Sequence, residues 1–273
     1  LFHRHKNISP VCNIAHPVFI SSYLRFVSAP VVYTTFLVSK VLRQVQESIN
    51  SIKQSIEINI WRIIMKAFVY TEIQASVPFA QAPWKEINKA LKQQPGILNK
   101  TWLSGVEDLS VGGFYTFDSV ENAQKFVTEY FPSEARSLGV PQRTLIFDAV
   151  AVEEASKDMD SIHFGAKNKQ QPGAYVYTEV QLSVLPFDSA PWRELNPVLK
   201  QQEGILAKTW LSGLHTGTPG GLYAFDTIEN AKKFAINYFP TEAKQLNAAF
   251  TTRVFDASVV EEASREMNSP FYV

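Results

Sequence analysis

The chain carries one sequence twice. The pentapeptide Thr-Trp-Leu-Ser-Gly at Thr101–Gly105 recurs at Thr209–Gly213. Around it, Ala67–Met159 recurs as Ala174–Met267, with more than half of the aligned positions identical. One inserted residue, Leu185, keeps the register, beside the shared Pro78-Phe79 and Pro186-Phe187. A period of roughly 95 residues is too long for one solenoid unit and marks a duplicated small domain. Two copies in one polypeptide point to a structure that needs a pair.

The 273 residues suffice for two such domains and an extension. Lys+Arg and Asp+Glu balance at 26 each. The balance hides a basic first 64 residues and a mildly acidic repeat body, so the repeats offer no basic face for nucleic acid. Cys12 is the single cysteine, which excludes a disulfide framework and a cysteine-based zinc site within one chain.

Residues 1–64 have no counterpart elsewhere. Val18–Lys40 is apolar but interrupted by Arg25 and Pro30, a poor spanning helix, and no secretory cleavage pattern follows it. Val38, Leu42, Val45, Ile49, Ile52 and Ile56 alternate at spacings of four and three, the stripe of an amphipathic or coiled-coil helix. A second reading stands beside it. Met65 immediately precedes the first copy, and Trp61-Arg62 can be encoded as TGG AGG, a ribosome-binding sequence at suitable spacing. In that reading Met65 is the start and residues 1–64 are leader. A third makes the segment a targeting or membrane-contacting anchor. The expected location is the cytoplasm.

Each copy repeats one order of elements. Ala67–Val77 is β-branched and aromatic and reads as a strand, broken by Pro78 and Pro83. Trp84, Ile87 and Leu91, matched by Trp192, Leu195 and Leu199, have helical spacing. Gly96 and Gly204 close that helix. Ile97–Ser104 is a second strand. A variable loop follows, Val106–Val111 against Leu214–Pro219. Gly112-Gly113 and Gly220-Gly221 open a third strand through Phe117 and Phe225. Asp118 and Asp226, with Glu121 and Glu229 three residues on, predict capping boxes for a second helix. Thr144–Val152 and Thr252–Val260 are last strands, and residues 160–172 are a polar linker expected to be exposed and irregular.

The order β-α-β-β-α-β predicts an α+β fold: tandem ferredoxin-like domains, each with two helices on one sheet face. The other sheet face needs a cover, and the second copy supplies it, giving an intrachain pseudo-dimeric α+β barrel. The predicted domains are 65–159 and 174–267, joined by 160–173, with a tail at 268–273.

Gln94, Gly96, Leu98, Lys100, Trp102, Gly112, Gly113, Tyr115, Phe117, Phe147 and Asp148 form a string resembling the YdhR-like mono-oxygenase family. The second copy matches at Gln202, Gly204, Leu206, Lys208, Trp210, Gly220, Gly221, Tyr223, Phe225, Phe255 and Asp256. That family belongs to the dimeric α+β barrel superfamily, with the antibiotic-biosynthesis monooxygenases. The resemblance implies the fold and raises the expectation of oxygenase chemistry. Family members commonly carry Glu two positions after the Trp, where this chain has Ser104 and Ser212.

None of the five histidines is repeated between copies, so no metal site is expected. No Gly-x-Gly-x-x-Gly follows a strand, so no dinucleotide cofactor is expected. Lys100, Trp102 and Ser104 share one strand face, as do Gly113, Tyr115 and Phe117. If the two faces coincide, they line one cavity suited to a planar apolar ligand with oxygen substituents. The candidate catalytic residues are Tyr115, Tyr223, Lys100 and Lys208, with the lysines expected at the mouth. The candidate substrate-binding residues are Trp102, Trp210, Phe117, Phe225, Trp84 and Trp192. In the bland alternative Trp102 and Phe117 are core and Lys100 reaches to solvent along its stem. The functional expectation is a cofactor-independent mono-oxygenase for a small aromatic or polyketide-like substrate; the alternative is a non-catalytic ligand-binding or interaction protein on the same scaffold.

Overall fold

In the first copy, strands β1 (Ala67–Gln74), β2 (Ile97–Ser104), β3 (Ser110–Phe117) and β4 (Gln142–Asp148) form an antiparallel sheet in the order β2-β3-β1-β4. The second copy repeats it with β5 (Ala174–Val180), β6 (Ile205–Ser212), β7 (Pro219–Phe225) and β8 (Phe250–Asp256), in the order β6-β7-β5-β8. The computed structural model describes residues 38–53, 66–75, 77–167 and 170–272. Both halves are ferredoxin-like, and together they make a tandem α+β barrel.

Residues 38–53 form helix α1, which belongs to a unit separate from residues 58–273. Its stripe, Val38, Leu42, Val45, Ile49 and Ile52, is exposed. Ile56 and Met65 lie outside the described residues. No helix among the described residues is long and apolar enough to cross a membrane.

Helix α2 (Trp84–Leu91) packs on the first sheet, followed by α3 (Val120–Lys125) and α4 (Phe131–Leu138). The expected Asp118 cap is displaced by one residue. Ser119, in extended conformation, accepts the Asn122 backbone N–H, while Asp118 accepts from the Asn122 side chain at 2.8 Å. Thr227 and Asp226 do the same in copy two. Glu121 accepts instead from Lys125, at 2.7 Å.

Pro132 does not break the second helix. Phe126–Tyr130 forms a π turn, with the Phe131 N–H donating to Phe126 O, so the ladder widens just before the residue that has no N–H to give. Phe234–Tyr238 repeats this ahead of Pro240, between α7 (Ile228–Lys233) and α8 (Phe239–Gln245).

The two sheets share one interior. Tyr70 of β1 stacks on Tyr177 of β5 with ring centroids 4.2 Å apart and planes 14° apart. Each of these tyrosines donates to a carboxylate two residues on, Tyr70 to Glu72 at 2.8 Å and Tyr177 to Glu179 at 2.7 Å. Those carboxylates take arginines from the opposite copy: Arg253 reaches Glu72, and Arg143 reaches Glu179 at 3.0 Å. The sheet edges also join. Gly105 bridges Phe255 and Gly213 bridges Phe147, with Val106 N–H donating to Val254 O at 3.0 Å and Leu214 N–H to Ile146 O at 2.9 Å. The barrel therefore closes reciprocally.

The tails cross as well. Edge strands β2 and β6 carry backbone N–H groups that their own sheets leave without partners. Helix α5 (Glu153–Asp158) of copy one covers β6, and α9 (Glu261–Glu266) of copy two covers β2. Lys208 N–H donates to Met159 O and Lys100 N–H to Met267 O, both at 3.0 Å.

The linker departs from its expected exposure. Ser161 and Ile162 are buried, and the turn Ile162–Phe164 sets the His163 ring against Phe68, Phe114 and Phe271. The turn Pro270–Tyr272 occupies the equivalent place in copy two. Inter-sheet space needed filling, and each copy fills it with aromatic residues just beyond its tail helix. Gly165, Lys167, Gln170 and Gln171 are exposed.

Candidate active site

Strand alternation puts Phe68, Tyr70 and Glu72 toward the other sheet and Val69, Thr71 and Ile73 toward the helices. The helix-facing side holds the candidate site. The β2–β3 register places Lys100 opposite Tyr115 and Trp102 opposite Gly113; the β6–β7 register places Lys208 opposite Tyr223 and Trp210 opposite Gly221. The two faces coincide, and each copy encloses a cavity of about 260 Å³ between sheet and helices.

Lys100, Trp102, Tyr115 and Thr71 line the first cavity, with Ile87 and Leu91 from α2 and Phe131 and Glu134 from α4. Lys208, Trp210, Tyr223 and Thr178 line the second, with Tyr238, Phe239 and Glu242. Phe117, Phe225, Trp84 and Trp192 do not line either. Phe117 packs on Phe126 at 5.2 Å and Phe225 on Phe234 at 5.2 Å, within the core. Trp84 and Trp192, at the starts of α2 and α6 (Trp192–Leu199), lie beside Lys85 and Arg193.

The lysines sit at the inner end of each cavity, not the mouth. Lys100 is 2% exposed and Lys208 1%, whereas Leu138 and Leu246, which also line the cavities, are 59% and 54% exposed. Period-two alternation gave the side of the strand but not the depth. Lys100 Nζ lies 2.8 Å from the Trp102 ring centroid and 5.0 Å from that of Tyr115; Lys208 repeats this at 2.7 and 4.9 Å. No carboxylate is within ion-pair distance of either amine among the described residues.

Burial drives both lysines well below their usual pKa; Glu134 opposes this weakly at Lys100. The magnitudes agree. A desolvated cation over an aromatic face gains about 2 kcal/mol, whereas taking an ammonium out of water costs several kcal/mol. Desolvation therefore outweighs the aromatic contact and favours the uncharged amine, its N–H groups against the indole face.

Burial pushes the Tyr115 and Tyr223 hydroxyls far above their usual pKa, with Thr71 and Thr178 opposing, so both remain protonated donors. Beside the first cavity Tyr130 donates to Glu134 at 2.5 Å. In the second, the Tyr238 hydroxyl is buried without a hydrogen-bond partner among the described residues, and burial with the nearby Glu242 pushes it up to about 12.

The glycine pair shapes the site. A Cβ on Gly112 would strike the Thr71 backbone carbonyl, so that position serves close strand pairing. A Cβ on Gly113 would stand 2.5 Å from Lys100 Cε and 2.9 Å from Tyr115 Cε2; on Gly221 it would meet Lys208 Cε at 2.7 Å. The second glycine leaves room for the lysine and the tyrosine.

Asn88 and Asn196 were not singled out from the sequence, and both are fully buried. Asn88 Oδ1 accepts from Trp102 Nε1 at 2.9 Å, and its Nδ2 donates to Ala263 O of the opposite copy at 3.0 Å. Asn196 holds Trp210 at 2.8 Å and Ala155 O at 3.1 Å. Ser264 and Ser156, also from the opposite tails, accept the Trp102 and Trp210 backbone N–H groups at 2.9 Å. Each cavity thus has its tryptophan fixed by its own helix and by the other copy's tail. An amide on the apolar face of a helix in both copies was the available signal.

Among the described residues no three His, Cys, Asp or Glu side chains converge as a metal site. His215 lies in its variable loop, outside both cavity linings.

No family model and no curated protein matches the chain. Among solved structures, it is similar to an anthrone oxidase-like protein at 14% identity, covering 70% of this chain and 91% of that one, with a TM-score of 0.47. A ferredoxin-fold protein related to antibiotic biosynthesis monooxygenases, from Listeria monocytogenes, matches at 9% identity over 72% of this chain and 98% of that one, with a TM-score of 0.41. Chlorite dismutase from Candidatus Nitrospira defluvii, in complex with imidazole, matches at 9% over 73% and 95%, with a TM-score of 0.41.

Proposed function

We propose that each copy is a mono-oxygenase site for a one- or two-ring phenolic ligand, drawing its electrons from the ligand itself. The observation that carries this reading is the buried amine of Lys100, and of Lys208, at the inner end of an apolar cavity walled by tryptophan and tyrosine, where burial drives its pKa down. The volume of about 260 Å³ lies just under the roughly 300 Å³ at which small-molecule pockets begin. It suits a compact planar ligand. The motif string shared with the YdhR-like mono-oxygenases agrees with the same chemistry.

In this mechanism the lysine amine takes the phenolic proton as general base. The phenolate is electron-rich enough to react directly with dioxygen at the ring carbon para to its oxygen. A C–O bond forms there, the ring C–H hydrogen leaves as a proton, and the O–O bond then breaks. One oxygen atom stays as a quinone carbonyl and the other departs as water, so phenol plus O₂ gives quinone plus water. The Tyr115 or Tyr223 hydroxyl donates to the developing oxyanion. The apolar walls exclude bulk water from the reduced oxygen.

The test uses 1,5-dihydroxynaphthalene with the full chain at neutral pH, following oxygen uptake and quinone absorbance. The reading predicts one O₂ consumed per quinone, lost in the Lys100→Met/Lys208→Met double variant. Saturable binding with no oxygen uptake above background would instead make the protein a ligand carrier.

A further inference from the structure

We propose that Lys100 and Lys208 also bind small aromatic aldehydes covalently, as imines, so that each cavity is a carbonyl-capture site. The proposal shares with the mono-oxygenase reading only the uncharged amine, and needs no oxygen chemistry.

The geometry supports it at three points. First, the amine has no carboxylate partner among the described residues and ends against the Trp102 ring face, lining the cavity. Second, Gly113, having no Cβ, leaves room for the Lys100 stem and the Tyr115 ring to lie side by side, and Gly221 does the same for Lys208 and Tyr223. A carbonyl carbon that reaches the amine therefore has the tyrosine ring next to it. Third, desolvation in an apolar pocket is the condition that makes a lysine nucleophilic at neutral pH. A solvated lysine near its ordinary pKa is uncharged to only about one part in a thousand or less at pH 7.

The chemistry balances without a redox partner. The amine nitrogen adds to the carbonyl carbon, forming a C–N bond while the carbonyl oxygen takes a proton. The resulting carbinolamine loses that oxygen as water, assisted by proton donation from Tyr115, and the nitrogen gives up its remaining proton. Aldehyde plus amine yields imine plus water. The apolar wall favours the neutral imine and the expulsion of water. The ring of the aldehyde takes the place against Ile87, Leu91 and Phe131.

The experiment treats the full-length wild-type chain with benzaldehyde and cyanoborohydride at pH 7, then maps benzylated lysines by peptide mass spectrometry over time. Lys100 and Lys208 are expected to label faster than the exposed Lys125 and Lys157, because burial favours their uncharged form whereas solvated lysines are almost wholly protonated at pH 7. Labelling of exposed lysines while the Lys100 and Lys208 peptides stay unmodified overturns the proposal. The single variant Lys100→Met should lose label at its own cavity and retain it at Lys208, giving an internal folding control. Labelling of both lysines without oxygenation of 1,5-dihydroxynaphthalene would remove the mono-oxygenase reading and leave this one standing. Oxygenation without labelling would do the reverse.

Discussion

Trp102 Nε1 donates to Asn88 Oδ1 at 2.9 Å, and through Asn88 the tryptophan of one copy is tied to the Ala263 carbonyl of the other. The site of each repeat is thus held by both. Asn88→Ala strands the indole N–H and the Ala263 carbonyl, at about 1–3 kcal/mol for each buried orphan. Chemical denaturation should show a loss of about 2–6 kcal/mol, and hydrogen exchange should show α9 losing protection although the substitution lies in α2. Unchanged α9 protection would remove the cross-copy role.

Stability should rise with pH across the neutral-to-alkaline range. Burial lowers the pKa of Lys100 and Lys208 in the folded state, while the unfolded chain protonates both below about 10.4. The unfolded state therefore binds more protons, and the slope is positive, up to about 1.4 kcal/mol per pH unit for each lysine. The window runs from the depressed folded pKa to about 10.4. Above it, tyrosines that stay protonated only when folded turn the slope downward. Lys100→Met should flatten the rise and stabilise the protein near pH 7. A wild-type stability independent of pH from 7 to 10 would show the lysines to be charged.

Tyr115→Phe with Tyr223→Phe removes two hydroxyls and little volume. The melting temperature should barely change, whereas turnover of 1,5-dihydroxynaphthalene should fall about 100-fold, the usual cost of one lost oxyanion donor. Full activity in this variant would take both tyrosines out of the mechanism.

Gly113→Ala places a methyl group 2.5 Å from Lys100 Cε. Overpacking of this kind costs about 1–3 kcal/mol. Turnover at the first cavity should be lost while the second, with Gly221 intact, keeps its own. Equal loss at both cavities would show that the effect spreads through the barrel.

The repeat, the element order and the pairing of the two sheets were legible because duplication and periodicity are local signals. Strand alternation likewise put Lys100, Trp102 and Tyr115 on one face, where the structure has them. Depth was not legible: the same alternation allows Lys100 at a mouth or at an inner end, and only the helices above decide. The cap moved from Asp118 to Ser119 because neighbouring residues of similar capping power differ only in backbone conformation. The crossing of α5 and α9, and the burial of Ser161 and Ile162, depend on contacts between copies that no spacing within one copy encodes.

The claim beneath the mechanism, the carbonyl capture and the pH slope is that Lys100 and Lys208 are uncharged amines in the folded protein. Nitrogen NMR of the chain labelled at lysine Nζ, assigned with Lys100→Met and Lys208→Met, reads this directly. At pH 7 two resonances should appear at the neutral-amine position, each lost in one variant, while the other lysines remain at the ammonium position. Finding both of these lysines among the ammonium signals at pH 7 would contradict the account.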